Sequence, residues 1–122
     1  MKPVEWIGSS RDDLRDFPIP VRRVVGLALR MAQAGDKHPD AKPLRGYHGA
    51  GVLEVVAHDD GDTYRAVYTV RFSEAVYVLH CFQKKSTRGI ATSRRDLDLM
   101  ENRLRRAQQL HEQHVQEQRE AT

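Results

Sequence analysis

Arginines and lysines set inside and just beyond two apolar runs are the residues of this chain best placed to do chemistry. The first run is Tyr64-Arg-Ala-Val-Tyr-Thr-Val-Arg-Phe72. The second is Ala75-Val-Tyr-Val-Leu-His-Cys-Phe-Gln-Lys-Lys85, and Ser73-Glu74 separates them. Two β-branched and aromatic runs around a polar step read as a β-hairpin. Alternation puts Arg65, Val67, Thr69 and Arg71 on one strand face and Tyr64, Ala66, Tyr68, Val70 and Phe72 on the other. An arginine inside a strand needs a reason to be there, and the pair Lys84-Lys85 ends the neighbouring strand. These cations predict a compact site for a phosphate, whose oxygens match the planar fork of arginine.

Cleavage of an RNA phosphodiester is one reaction that such a site can serve. The 2′-hydroxyl must lose a proton, the charge on the pentavalent phosphate must be stabilised, and the 5′-oxygen must be protonated. Arginine suits the second task because it stays ionised and grips two oxygens at once. Lysine serves as a base when neighbouring cations or burial lower its pKa, so Lys84 and Lys85 are the candidates, beside Arg65 and Arg71. His80 is a further candidate for proton transfer. Its alternation partners Val76, Val78 and Phe82 suggest a shared buried face, where a hydrogen-bonded core histidine is the alternative reading. From Lys84 to Arg106 eight basic residues face Asp96, Asp98 and Glu101. Such a patch can hold an RNA backbone by counterion release. Arg88, Arg94 and Arg95, with the aromatic Phe82, are the expected RNA contacts. Arg103, Arg105 and Arg106 read as solvated helix charge.

Other chemistries find little support. The single cysteine, Cys81, excludes an internal disulfide and a cysteine zinc site, and its apolar strand makes it a small core residue. The histidines show no metal-ligand spacing beyond His111 and His114 on a polar helix, so no metal is expected. There is no glycine-rich nucleotide loop, no serine–histidine–acid arrangement, and no cofactor is implied. With 122 residues, a net charge of +3 and no apolar run of membrane-spanning length, the chain reads as one modestly basic cytoplasmic domain.

The elements that must position these residues follow from periodicity and punctuation. Pro3 to Ile7 is a short strand ending at Gly8. Ser9-Ser10 caps a first helix from Arg11, and Phe17-Pro-Ile-Pro20 breaks it. Val21, Val24, Val25, Ala28, Met31 and Ala32 give a second, amphipathic helix that ends at Gly35. Residues 35–51 read as a glycine- and proline-rich loop carrying Lys37, His38, Lys42, Arg45 and His48 as solvated charges or functional groups. Val52 to Ala57 is a strand and Asp59-Asp-Gly-Asp62 a hairpin turn. Ser93 and Asp96 have the form of a capping box, opening a helix striped by Leu97, Met100, Leu104, Ala107 and Leu110. The expected fold is α+β in the order β-α-α-β-β-β-α. The domain spans residues 1–110, and 111–122 form a polar helical or frayed tail.

The chain resembles the HigB branch of the RelE/ParE toxin superfamily. Arg65-Ala-Val-Tyr68, Val76-Tyr-Val-Leu-His-Cys-Phe-Gln-Lys-Lys-Ser86, and Thr92 before a charged helix with Asp96-Leu97 carry the likeness, most specifically from Leu79 to Ser86. Trp6-Ile-Gly-Ser-Ser10, Phe17-Pro18 and Lys42-Pro-Leu44 add to it, over roughly residues 4–110. The resemblance implies a small antiparallel sheet packed on a helical hairpin. It also implies a type II toxin that cleaves mRNA in the ribosomal A site and is silenced by a helix-turn-helix (HigA-like) antitoxin. Under it Arg65 matches a phosphate-contacting strand arginine, and Lys84 and Lys85 match the lysine pair of the branch. No tyrosine follows the lysine pair here, unlike in the RelE toxins. The ParE relatives share the fold and poison gyrase, so that activity, or an inactive remnant that only binds an antitoxin, stays open as an alternative.

Overall fold

The computed structural model describes residues 1–47, 51–84 and 92–121; His48, Lys85 and Arg88 fall outside the described residues. The chain forms β1 (Val4–Trp6), α1 (Ser10–Arg15), α2 (Ile19–Gln33), β2 (Ala41–Pro43), β3 (Val52–Asp59), β4 (Asp62–Thr69), β5 (Val76–Lys84) and α3 (Arg94–Ala121). The five strands make one sheet in the order β1-β5-β4-β3-β2. β2 to β5 pair antiparallel, but β1 runs parallel to β5, so the sheet is mixed and not antiparallel throughout. The stretch 35–51, expected as loop, contributes β2, whose three residues pair with Leu53 to Val55. A run that short, ending in Pro43, carries almost no periodic signal, and an edge position tolerates the proline.

Local chemistry sets the boundaries. Pro18 caps α2 in an extended conformation, and Pro20 is the second residue of the helix, in the first turn where the missing N–H is no loss. The turn between β3 and β4 places Asp60 and Gly61 at φ 48° and 81°, the type I′ geometry that matches strand twist. Ser93 caps α3: its Oγ accepts from the Asp96 N–H at 3.1 Å and donates to the Asp96 carboxylate at 2.7 Å.

Each sheet face is covered by helix. On one side Phe17, in the turn between α1 and α2, and Val21, Val25 and Ala28 of α2 are buried against Val55, Ala66, Tyr68, Val76 and Val78. On the other side Met100 and Ala107 of α3 pack on Val67, Tyr77 and Leu79, with Ile7, Leu44 and Val52. β5 therefore has no solvent face along most of its length, which explains its continuous apolar run. Burial pushes the Cys81 thiol up to about 12, as suits a core residue and not a nucleophile. The last helix continues to Ala121.

Two expected face assignments change. Val67 lies opposite His80 and Tyr68 opposite Val78, so a bulge at Leu79 shifts the register by one residue. Val76 and Val78 join the α2 side, whereas His80 shares the α3 side with Val67 and Phe82. A bulge flips every later side chain, which strict alternation across Val76 to Phe82 does not anticipate. β4 stops at Thr69, so Arg71 lies beyond the strand, exposed, and Phe72 packs on the α3 side.

Candidate functional site

Strand register sorts the polar residues of the α3-side face into three rows. Lys42, Glu54, Val67 and His80 lie across the sheet in the first, Val56, Arg65 and Phe82 in the second, and His58, Thr63 and Lys84 in the third. The amino-terminal end of α3 sits over the first row through the His80–Asp96 contact. Beside it opens a cleft of about 700 Å³ lined by Lys42, Leu44, Arg45, Gly46, Glu54, Arg65, Thr92 and Leu97. A smaller hollow of about 370 Å³ on the far side of Glu54 is lined by Asp40, Lys42, Glu54, Val56 and His58.

Arg65 is the centre of this face. Its Nη1 donates to Glu54 Oε2 at 2.8 Å, with side-chain exposures of 14% and 17%. The carboxylate fixes the guanidinium on the sheet, and the Arg65 Nε is buried without a partner among the described residues. Lys84 stands one row further out, diagonal to Arg65 across β4 and β5. Partial burial, then the Arg65 charge, hold its ammonium below the ordinary lysine value, and Glu54 opposes them. Arg65 and Lys84 therefore share a face and feel each other's charge, while Arg65 alone of the two lines the cleft.

The remaining candidates divide. Phe82 lies opposite Arg65, its ring stacked on His80 at 4.5 Å. His80 is 6% exposed, its Nε2 at 2.8 Å from Asp96 Oδ1 and its Nδ1 at 3.5 Å from Arg103 Nη1. An arginine donor at Nδ1 leaves Nε2 as the N–H donor to Asp96, the tautomer of a neutral imidazole. Burial lowers the His80 pKa, Arg103 adds to that, and the Asp96 hydrogen bond and charge oppose it. The ring is thus the hydrogen-bonded core histidine, with both nitrogens engaged inside the protein. Arg103 further ties Leu79 O at the bulge (2.9 Å) to Ser9 Oγ (3.0 Å), a role its reading as solvated charge missed. Arg94 and Arg95 are exposed on the first turn of α3, and Arg94 pairs with Asp98 at 3.4 Å. Arg71 lies beyond the far end of β4, its guanidinium 5.7 Å from the Phe72 ring, and does not join the group.

Lys42, Arg45, Glu54 and Thr92 line the cleft without having been singled out as its residues. The signal for Glu54 was present: a lone carboxylate inside Val52 to Ala57 is as anomalous as the arginine in the next strand. The arrangement can cradle an anionic backbone: Lys42, Arg45 and Arg65 line the cleft, Lys84 with its lowered pKa stands on the same sheet face, and the positive end of a 28-residue helix lies nearby. Among the described residues no cluster of metal-ligating side chains occurs, and no helix is long and apolar enough to cross a membrane.

A family model described as phage-derived protein Gp49-like (DUF891) matches residues 12–105, which include every cleft residue. That family is associated with toxins of toxin–antitoxin systems of the RelE/HigB type. No curated protein matches the chain.

Proposed function

The chain belongs to the Gp49-like family of phage-derived proteins, and from that premise we propose that it is the toxin of a type II toxin–antitoxin pair, an mRNA endoribonuclease acting on the ribosome. The observation that carries this reading is the shared sheet face of Arg65 and Lys84 beside an open, cation-lined cleft. In the proposed reaction Arg65 binds the scissile phosphate and stabilises the charge that grows on it. Lys84 removes the 2′-hydroxyl proton, helped by its lowered pKa. The 2′-oxygen bonds to phosphorus, the bond from phosphorus to the 5′-oxygen breaks, and a lysine ammonium of the Lys84-Lys85 pair protonates the leaving oxygen. Lys42 and Arg45, with Arg94 and Arg95 at the helix start, hold the flanking backbone. A protein antitoxin, of the helix-turn-helix HigA-like kind that the resemblance implies, silences the activity.

The test is an in vitro translation reaction with end-labelled mRNA, run beside a gyrase supercoiling assay. The expected result is mRNA cut at ribosome-bound codons, with supercoiling untouched. Loss of supercoiling with intact mRNA would replace this reading by a ParE-like one, and inertness in both assays would leave an antitoxin-binding remnant.

A further inference from the structure

The outer face of α2 combines exposed aliphatic side chains with exposed arginines. Its inner residues Val21, Val25, Ala28, Leu29 and Ala32 are buried on the sheet. Its outer side carries Ile19 and Leu27, 55% and 52% exposed; the only other large hydrophobic so exposed among the described residues is Met1. Around them stand Arg22, Arg23 and Arg30, exposed and without an ion-pair or hydrogen-bond partner among the described residues. At 100° per residue these five side chains and Gly26 fall within an arc of about 140°. The helix contains no carboxylate at all.

Gly26 adds a second observation. It sits mid-helix, where glycine is about 0.5–1 kcal/mol worse than alanine. A Cβ built on it meets nothing within 4 Å, so no contact among the described residues requires a glycine there. Arg22, Arg23 and Arg30 are its i−4, i−3 and i+4 neighbours on the helix surface, so the bare backbone among the arginines lets another helix approach closely.

We propose that the outer face of α2 docks an amphipathic helix of a partner protein, apolar along one stripe and flanked by carboxylates. The partner's apolar residues cover Ile19 and Leu27 on either side of Arg23, and its carboxylates pair with Arg22, Arg23 and Arg30 around Gly26. A second copy of this chain does not fit, because two such faces would set arginine against arginine. Nucleic acid has use for the arginines but none for the exposed aliphatic pair, and two aliphatic side chains about 12 Å apart make a poor membrane anchor. The face lies on the opposite side of the sheet from Arg65 and Lys84, so the docked helix leaves the cleft open. The proposal does not rest on the ribonuclease reading.

The experiment titrates the full chain with three probes: a synthetic helical peptide with a leucine stripe flanked by glutamates, the same peptide with lysines in their place, and a 20-nucleotide single-stranded RNA. Amide shifts and hydrogen exchange report the site. The glutamate peptide is expected to perturb and protect 19–30, and the lysine peptide to leave them unchanged. Arg23→Glu and Leu27→Asp are each expected to weaken the glutamate peptide at least tenfold. Gly26→Gln is expected to do the same while leaving the thermal midpoint of the free chain equal or higher, which separates docking from folding. Failure of the glutamate peptide to perturb α2, indifference of its affinity to Leu27→Asp, or tighter binding of the RNA to this face would each overturn the proposal.

Discussion

At the scale of the residue, Arg65 and Glu54 pair on the wall of the cleft. Their 2.8 Å pair orients the guanidinium and also cancels part of its charge. Replacing Glu54 by glutamine keeps a hydrogen-bond acceptor and removes the negative charge. Glu54→Gln is therefore expected to bind RNA more tightly, with the plot of log affinity against log salt steeper by about one unit, read by fluorescence anisotropy. Lys84 is a cleaner probe because no hydrogen bond or ion pair among the described residues depends on it. Lys84→Ala should move the thermal midpoint by less than about 2 °C while abolishing growth arrest on induction. Arrest at parental strength would remove Lys84 from the proposed mechanism. Arg65 was legible in the sequence because charge inside a strand is costly without a partner. Its partner was not identified, since pairing across β3 and β4 depends on register, which the Asp60-Gly61 turn sets.

At the scale of the element, the start of α3 governs the cleft wall. Ser93 caps it, Asp96 bonds His80 on β5, and Arg103 grips the bulge and Ser9. Ser93→Ala is expected to lose about 0.5–2 kcal/mol in urea unfolding, the usual range for a lost cap. His80 adds a pH signature. Its folded-state pKa lies below the ordinary value, so between the two values the unfolded chain binds more protons than the folded one. The stability contributed by the neutral ring is full above about pH 6.5 and falls as pH drops through the folded-state value. His80→Gln should therefore flatten the decline of the urea midpoint between pH 7 and 5; an unchanged slope would mean that His80 does not titrate in this window. The capping box and helix stripe were readable because both are local patterns. The bulge at Leu79 was not, because both faces of β5 are buried and its apolar run carries no alternation to break.

At the scale of the whole molecule, the sheet separates two surfaces. One face carries α1 and α2, and the other carries α3 and the cleft. The sequence yielded the element order except for β2, and with it the α+β class. It did not yield the mixed sheet, because the parallel pairing of Val4 to Trp6 with Val76 to Val78 joins segments about 70 residues apart. Nor did it show that Lys42 and Arg45 reach the same cleft as Arg65, since only the fold of β2 against β3 brings them there. The chain belongs to the Gp49-like family, and the account proposed for its cleft is that this face engages a phosphodiester. Its most direct test is the single-turnover rate of ribosome-bound mRNA cleavage by the parent chain, Arg65→Lys, Lys84→Ala and the double variant. The account expects each single change to slow cleavage by about 10²–10³-fold and the double change to add much less than the product, as for groups acting on one transition state. Parental rates in either single variant would contradict it.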